Sequence, residues 1–414
     1  MQYADSDRAR ELTERARALM EEVVLPRERD RPGGVTVSEE AVAELRERAR
    51  EEYGIYAPQV SREYGGMGES LRDVLPVFEE AGRSLLGATA MRVDAPDEGN
   101  MHLLELVGDD HQKERYLEPL VTGEIRSGFS MTEPLQGAGS DPTMIETTAE
   151  RDGDEWVLDG HKWWTTNGVE ADLLFVLART DPEAHPYEGC SIFLVPAATP
   201  GVDVVRDVPH MGGGELGISH AEIVYDGVQI PHENLLGELH QGFSLAQQRL
   251  GPARLTHCMR FSGMATRALD VAKAYLTERE GFGSVLADKG TLRHRIADAE
   301  MHIHVAKTAI RDAADRLAEG DDARVPVSMC KVFTAGVAQD AIDLAVQCCG
   351  ANGIGKDLPL SDFYTSVRQF RIVDGADEVH RRVIARHAFE DVSAAELDPL
   401  TRFGSPNRPP EEPG

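Results

Sequence analysis

The sequence predicts an α+β protein in which a helical unit is followed by an all-β unit and then by a second helical unit. Three observations carry this. Up to about Glu124, apolar residues recur at three- and four-residue spacing. After Gly128 the chain breaks into short runs of β-branched, aromatic and leucine residues separated by Gly, Pro and Asp. From Gln241 the helical spacing returns. Helices, strands, then helices imply α+β domains around one site, not alternating β-α units. The expected divisions are 1–125, 126–237 and 238–395, with a tail at 396–414.

In the first part, "RDVLPVFEEAGRSLLG" and "GNMHLLELVGDDHQKERYLEPLVTGE" carry the helical period, joined by the glycine-rich "SREYGGMGESL". The middle part reads as strands in "EWVLDGHKWWTTNG", "ADLLFVLART", "CSIFLVPA", "VDVVRDV" and "AEIVYDGVQI", with a tight hairpin expected at Asp159-Gly160. In the third part, Leu292, Ile296, Ile303, Ala306, Ile310 and Leu317 fall on one helical stripe. The segment "VFTAGVAQDAIDLAVQCCG" is nearly apolar throughout, as a helix inside a bundle is. The closing "SPNRPPEEPG" has the composition of a disordered tail.

The 414 residues carry a formal charge of -29, and only seven of the basic residues are lysines. Such a surface repels nucleic acid and anionic lipid, so neither is an expected partner. A high-salt cytoplasm, where screening weakens self-repulsion, accounts for the acid excess better than a GC-rich genome, which explains only the preference for Arg over Lys. No apolar run reaches the length of a membrane span, and "MQYADSDRARELTERARALMEE" is acidic and amphipathic, unlike a secretory signal. The five cysteines, an odd number without a C-x-x-C, fit reduced thiols in a cytoplasm. His302 and His304 in "MHIH" lie two apart on a helix and face different ways, so no metal site is expected.

The most specific stretch is "GFSMTEPLQGAGSDPTMIETTA", followed by "GHKWWTTNG". Its "GAGSD" is a small loop whose amides and Ser140 hydroxyl suit a polar or anionic ligand. The G-x-G-x-x-G fingerprint of a dinucleotide-binding fold is missing, which counts against a Rossmann reading. With "YGGMG", "HQKERYLEPLVTGEIRSGFSMTEP", "GAGSD", "KWWTTNG", "IPHENLLGE", "REGFG", "QCCGANGIGKDLPLSDFYTSVR" and "RIVDGADEVHRRVIARH", the chain resembles the acyl-CoA dehydrogenase family. These segments come in the family's order and spacing over about 390 residues. "RLGPARLTHCMR" and "VDGADEVHR" look most like a subgroup acting on long or modified acyl chains, with Asp in place of the usual catalytic Glu.

The resemblance implies an N-terminal helical domain, a central β-barrel and a C-terminal four-helix bundle, with FAD held between them. It places Phe129, Met131 and Thr132 along the flavin, Trp164 over one face of it and Thr166 at its edge. Arg279 would reach the FAD pyrophosphate of a neighbouring subunit, and Gln347 and Gly350 would complete that site, which requires a homodimer or homotetramer. Ser140 would lie near the pantetheine of CoA, Arg254 in the active-site region, and the Gly375 amide on the substrate carbonyl. The implied reaction is α,β-dehydrogenation of an acyl-CoA of medium, long or modified chain, with electrons passed to an electron-transferring flavoprotein.

Asp374 in "FRIVDGADEVHRRVIARH" poses a choice between a helix cap and a base. An isolated Asp-Gly before a helix is normally a cap. The resemblance instead makes Asp374 the base that takes the α-proton, one carbon–carbon bond, about 1.5 Å, shorter than glutamate. A dry pocket is expected to raise its pKa and make it a competent acceptor. Some relatives carry their base on the helix holding "LGPARLTH", but Ala253 occupies that position. Rival readings are a same-fold oxidase, of acyl-CoA or nitroalkane type, and a flavin-binding scaffold without turnover.

The charge generates a prediction of its own. If salt screening offsets self-repulsion, the thermal unfolding midpoint rises by about 10 °C or more between about 0.1 M and about 3 M KCl. A midpoint that does not move would leave only the genomic explanation.

Overall fold

In the computed structural model, residues 4–29, 38–212, 218–390 and 392 are described; the expected tail at 396–414 lies outside them. The first helices are started by serines. Ser6, Ser38 and Ser70 each sit in extended backbone and accept a hydrogen bond from the third residue onward, opening Asp7–Leu19, Glu39–Glu51 and Leu71–Gly82. Asp97–Val107 follows, and the helical part closes with Glu118–Thr122, ended by left-handed Gly123.

Eight strands form one sheet: β1 Ser127–Ser130, β2 Thr148–Asp152, β3 Glu155–Thr166, β4 Leu173–Arg179, β5 Cys190–Pro196, β6 Val202–Asp207, β7 His220–Pro231 and β8 Leu235–Leu236. Their order is β6-β7-β3-β2-β4-β5-β8, with β1 running parallel beside β4. The central strands are buried on both faces, which is why β4 and β5 read as unbroken apolar runs. Leu173, Phe175 and Leu177 point into a core shared with the N-terminal helices, while Leu174 and Val176 point the other way, to Trp156, Ile223 and Tyr225.

The hairpin expected at Asp159-Gly160 is not there. The β2–β3 turn is six residues earlier, at Gly153-Asp154, where Asp152 pairs with Glu155 and Gly153 supplies a φ of +62°. Asp159 and Gly160 lie inside β3 at a register shift against β7. A glycine is required at that bulge because a Cβ on Gly160 would sit 2.3 Å from the Thr147 hydroxyl.

The third part is built on Gly242–Glu278, a helix of 37 residues, with Gly290–Ala318, Arg324–Cys349, Leu360–Gln369 and Asp377–Ala388 around it. The Gly290–Ala318 stripe faces inward at Ile303, Ala306 and Ile310, as its spacing predicted, with Leu292, Ile296 and Leu317 partly buried beside it. All five cysteines are buried and free. Among the described residues no helix is long and apolar enough to cross a membrane.

A buried polar chain ties the three parts together. Arg249, on the long helix, donates to Asn100 Oδ1 at 2.7 Å and to the Pro96 carbonyl at 3.2 Å. Asn100 in turn donates to the Ser127 hydroxyl on β1 at 2.8 Å, and Ser127 bonds Asp97, which pairs with fully buried Arg92 at 2.7 Å. Nearby, Leu71–Gly82 crosses the long helix at two glycines: a Cβ on Gly82 would lie 2.0 Å from the Arg260 carbonyl, and one on Gly263 1.9 Å from that of Glu79. Gly263→Ala should therefore force the helices apart and cost about 1–3 kcal/mol. Thermal unfolding should show a clear drop for it, and none for Gly139→Ala, where a Cβ meets nothing within 4 Å.

Candidate active site

The first wall of the site is made where β1 runs out into "MTEP". Glu133 is buried there and accepts hydrogen bonds from the amides of Ala138, Glu146 and Thr147 at 3.1, 2.8 and 2.9 Å. The loop is thus wound around one carboxylate. Fully buried Lys162 reaches across from β3 to Glu133 at 2.8 Å and to the Met131 carbonyl at 3.0 Å. Burial pushes the Glu133 carboxyl up, but Lys162 and the amide donors overcome it and hold it at about 2. Burial likewise pushes Lys162 down, against the pull of Glu133. Neither residue was picked out from sequence. The signal available was a lysine on the same alternation as Trp156 and Leu158, the inward face of the strand.

Immediately after Lys162, β3 slips register against β7 and the Trp163 amide bonds instead to the Thr132 carbonyl at 3.0 Å. This bulge turns Trp164 outward in a left-handed backbone, φ +54°, with 42% of its surface exposed. Such a conformation is unfavourable for a tryptophan and persists only where its surroundings enforce it. Thr166, two residues on, bonds His220 Nδ1 at 3.2 Å, and His220 packs against the Trp164 ring with centroids 5.7 Å apart. Burial, with His210 beside it, pushes His220 down to about 4. His220 was also missed from sequence. The Thr132 hydroxyl has no hydrogen-bond partner among the described residues. A presented indole face flanked by two threonines and free backbone edge is the donor set that suits a flat heteroaromatic ring system such as a flavin.

The second wall carries Asp374. It is not a cap: the helix beginning at Asp377 has Ala376 at its N-cap and no side-chain cap bond. The Asp374 carboxylate instead takes a short hydrogen bond at Oδ2 from His257 Nδ1, on the long helix. Its own backbone is left-handed, φ +57°, and its carbonyl accepts from Arg254 Nε at 2.8 Å and faces His380 Nε2 at 3.1 Å. Gly375 follows at φ +100°, where a Cβ would lie 2.8 Å from His380 Nε2, so only glycine fits. The Gly375 amide has no hydrogen-bond acceptor among the described residues.

The expected rise in the Asp374 pKa is reversed. Burial does push the carboxyl up, but His257, by proximity and hydrogen bond, with Arg254 and Arg249, outweighs it and holds it below the ordinary carboxylate range. Dryness alone would raise it; the hydrogen bond from His257 and the guanidinium groups of Arg254, which the resemblance had placed in this region, and Arg249 reverse the sign. His257 lies three residues after Arg254 on one helix, a spacing that puts both on the same side.

The two walls meet through Arg249, whose guanidinium lies 4.3 Å over the Phe129 ring and is close enough to Asp374 to stabilise its charge. Ser140 is exposed on the loop rim, with no hydrogen bond found for it. Arg279, Gln347 and Gly350 are not brought to these walls. They are exposed at the far end of the bundle, where Asn352 bonds Tyr275 Oη at 3.4 Å. At 1.5 Å per residue, Arg279 is about 33 Å along the helix axis from His257. Among the described residues no cluster of three or more His, Cys, Asp or Glu is placed to hold a metal.

A helical–β–helical chain with an aromatic and hydroxyl wall facing a buried carboxylate defines a flavin-dependent oxidoreductase scaffold. Three family models cover it in sequence: the acyl-CoA dehydrogenase N-terminal domain at residues 6–124, the middle domain at 128–228 and the C-terminal domain at 240–389. The chain is 42% identical over 75% of its length to a protein named "Probable acyl-CoA dehydrogenase FadE2" from Mycobacterium tuberculosis, covering 77% of that protein. It is 35% identical over 85% of its length to acyl-CoA dehydrogenase family member 10 of Mus musculus, and spans only 34% of that longer protein. The solved butyryl-CoA dehydrogenase of Megasphaera elsdenii superposes with a TM-score of 0.84 at 27% identity, over 94% of this chain and 100% of that one. The chain belongs to the acyl-CoA dehydrogenase family, an FAD-dependent group of oxidoreductases acting on acyl-CoA.

The depressed Asp374 sets a pH expectation. A carboxyl whose folded pKa lies below its ordinary 3.8 is fully ionised at neutral pH and is protonated only when pH falls through the lower value. If the reaction needs the ionised form, the rate of flavin reduction should show no acid limb from this group between about pH 5 and about pH 8. Stopped-flow reduction across that range checks it; a limb near pH 6 would mean that the carboxyl is raised once substrate is bound.

Proposed function

We propose that this protein oxidises an acyl-CoA of medium, long or modified chain to the trans-2-enoyl-CoA, with Asp374 as the base. The observation that carries this is the state of Asp374 and its neighbour. Oδ2 is committed to His257, the side chain keeps 12% of its surface, and neither Oδ1 nor the Gly375 amide one residue away has a partner among the described residues. One oxygen to take a proton, beside one N–H to take a carbonyl, is the pairing that enolisation of a thioester needs.

Met131 and Thr132, Trp164 and Thr166 would hold the flavin, which when bound supplies the acceptor for the β-hydride. Asp374 would take the α-proton at Oδ1. The Gly375 amide would donate to the thioester oxygen as negative charge develops there. Arg254 fixes the Asp374 carbonyl and so holds the turn that presents both groups. Phe129 and Arg249, stacked at 4.3 Å, would close the space between the walls. Ser140, at the rim, is placed for the pantetheine arm.

The separation of about 33 Å along the long helix supports a homo-oligomer in which Arg279, Gln347 and Gly350 serve the FAD of a neighbouring copy. A guanidinium suits a pyrophosphate through paired hydrogen bonds. Electrons would leave to an electron-transferring flavoprotein, in a cytoplasm of high salt.

Anaerobic titration of the holoprotein with saturated acyl-CoAs, from butanoyl- to hexadecanoyl-CoA, should bleach the flavin for one length class with matching enoyl-CoA formed. Asp374→Asn, with normal FAD content, should slow that bleaching by at least about 1,000-fold. Reduction by the Asn variant at the wild-type rate would remove Asp374 from the reaction. Rapid peroxide formation in air with little use of an artificial acceptor would make the protein an oxidase instead.

A further inference from the structure

We infer that His257 is a positioning residue for the base: its Nδ1–H clamps Oδ2 of Asp374 and so fixes the short carboxylate with Oδ1 turned to the substrate. The inference rests on Asp374 being the base.

An aspartate gives up reach relative to a glutamate. A glutamate side chain has an additional torsion and can swing toward its substrate; an aspartate on the same backbone has less reach and must be aimed. Asp374 is aimed from two directions. Its backbone is held by Arg254 and His380 at the carbonyl, at 2.8 and 3.1 Å. Its carboxylate is held by His257 alone among the described residues. A carboxylate can only accept, so Nδ1 is the protonated nitrogen of that ring. The opposite nitrogen, Nε2, is buried and has no hydrogen-bond partner.

His257 is itself more than nine-tenths buried, on a helix whose neighbouring turns are packed on all sides. An imidazole in such a place with one nitrogen unsatisfied carries a desolvation cost, typically left unmet only where the other nitrogen has a task. The other charged groups close to Asp374 are placed differently. Arg249 is occupied by Asn100 and Pro96, Arg254 by the backbone carbonyl, and Lys331 by Asp377 at 3.4 Å. Arg260 donates to the Val93 carbonyl at 3.4 Å, and His380 Nδ1 faces the Ser328 hydroxyl at 3.1 Å. Each contributes field, but only His257 contributes direction.

The test uses FAD-loaded His257→Asn and His257→Leu beside Asp374→Asn. The amide nitrogen of asparagine lies where Nδ1 does and keeps the donor; leucine keeps volume and loses it. With the saturated acyl-CoA that best bleaches the wild type, the Leu variant should lower the limiting rate of flavin reduction by about 100-fold or more. Its half-saturating concentration should stay within about threefold. The Asn variant should recover to within about tenfold of wild type. A second readout needs no turnover: in protein labelled with 15N-histidine, a low-field Nδ1 proton signal should disappear in His257→Asn and move upfield in Asp374→Asn, whose neutral amide oxygen is the weaker acceptor.

A Leu variant that reduces flavin at the wild-type rate, or an Asn variant as slow as the Leu one, overturns the inference. So does a low-field signal whose position Asp374→Asn leaves unchanged. If the Leu variant does not fold, the Asn variant and the proton signal still decide. Failure of the underlying reading looks different: Asp374→Asn would then reduce flavin normally while the His257 signal still depended on Asp374.

Discussion

Burying the Arg249 guanidinium is the constraint that the rest of the molecule is arranged to satisfy. A cation removed from water must be met by acceptors of fixed geometry, and those acceptors come from another part of the chain. Asn100 and Pro96 lie in the N-terminal helices, and Asn100 is oriented by Ser127 of the first strand. Because Arg249 also covers Phe129 and faces Asp374, the same side chain that binds helix to strand sets the spacing between the two walls of the active site. Close helix crossing at Gly82 and Gly263 fixes the angle at which this occurs. Docking of the three parts and construction of the site are therefore one event.

Within that frame, each wall is built by a local departure from regular structure. On the β side, a register slip in β3 puts Lys162 inside and Trp164 outside, so that one strand both anchors the "MTEP" loop and offers an aromatic face. On the helical side, two consecutive left-handed residues, Asp374 and Gly375, set a carboxylate beside an amide that has no acceptor among the described residues. Both devices are costly in backbone terms, and both fall in the candidate site.

Much of this was legible in the sequence, and the illegible part has a common cause. The order of helices and strands followed from periodicity, and the buried face of Gly290–Ala318 from its stripe; Arg324–Cys349, read as apolar throughout, is buried on one side and leaves Met329 and Phe333 exposed. The family could be read from separated motifs because each is short and dense in glycine, proline and aromatic residues. The hairpin was misplaced because an Asp-Gly pair serves a bulge as well as a turn, and only pairing with β7 and the approach of Thr147 decide between them. Lys162, Glu133, His220 and His257 were missed for a related reason. A buried polar residue takes its meaning from a partner 29, 54 or 117 positions away, and nothing local in the sequence announces that partner. The sign of the Asp374 shift failed in the same way: dryness and the nearness of Arg254 could be anticipated, but Arg249 and His257 could not.

The left-handed backbone at Asp374 has a consequence for how this position can vary. Short side chains that carry a polar group two bonds from the backbone tolerate φ near +60° better than longer ones. Aspartate and asparagine satisfy the turn; a glutamate would bring its carboxylate further out while paying more at the backbone and disengaging from His257. The identity of residue 374 is thus tied to that of residue 257, and the two should drift together, if at all, along any lineage that keeps the turn.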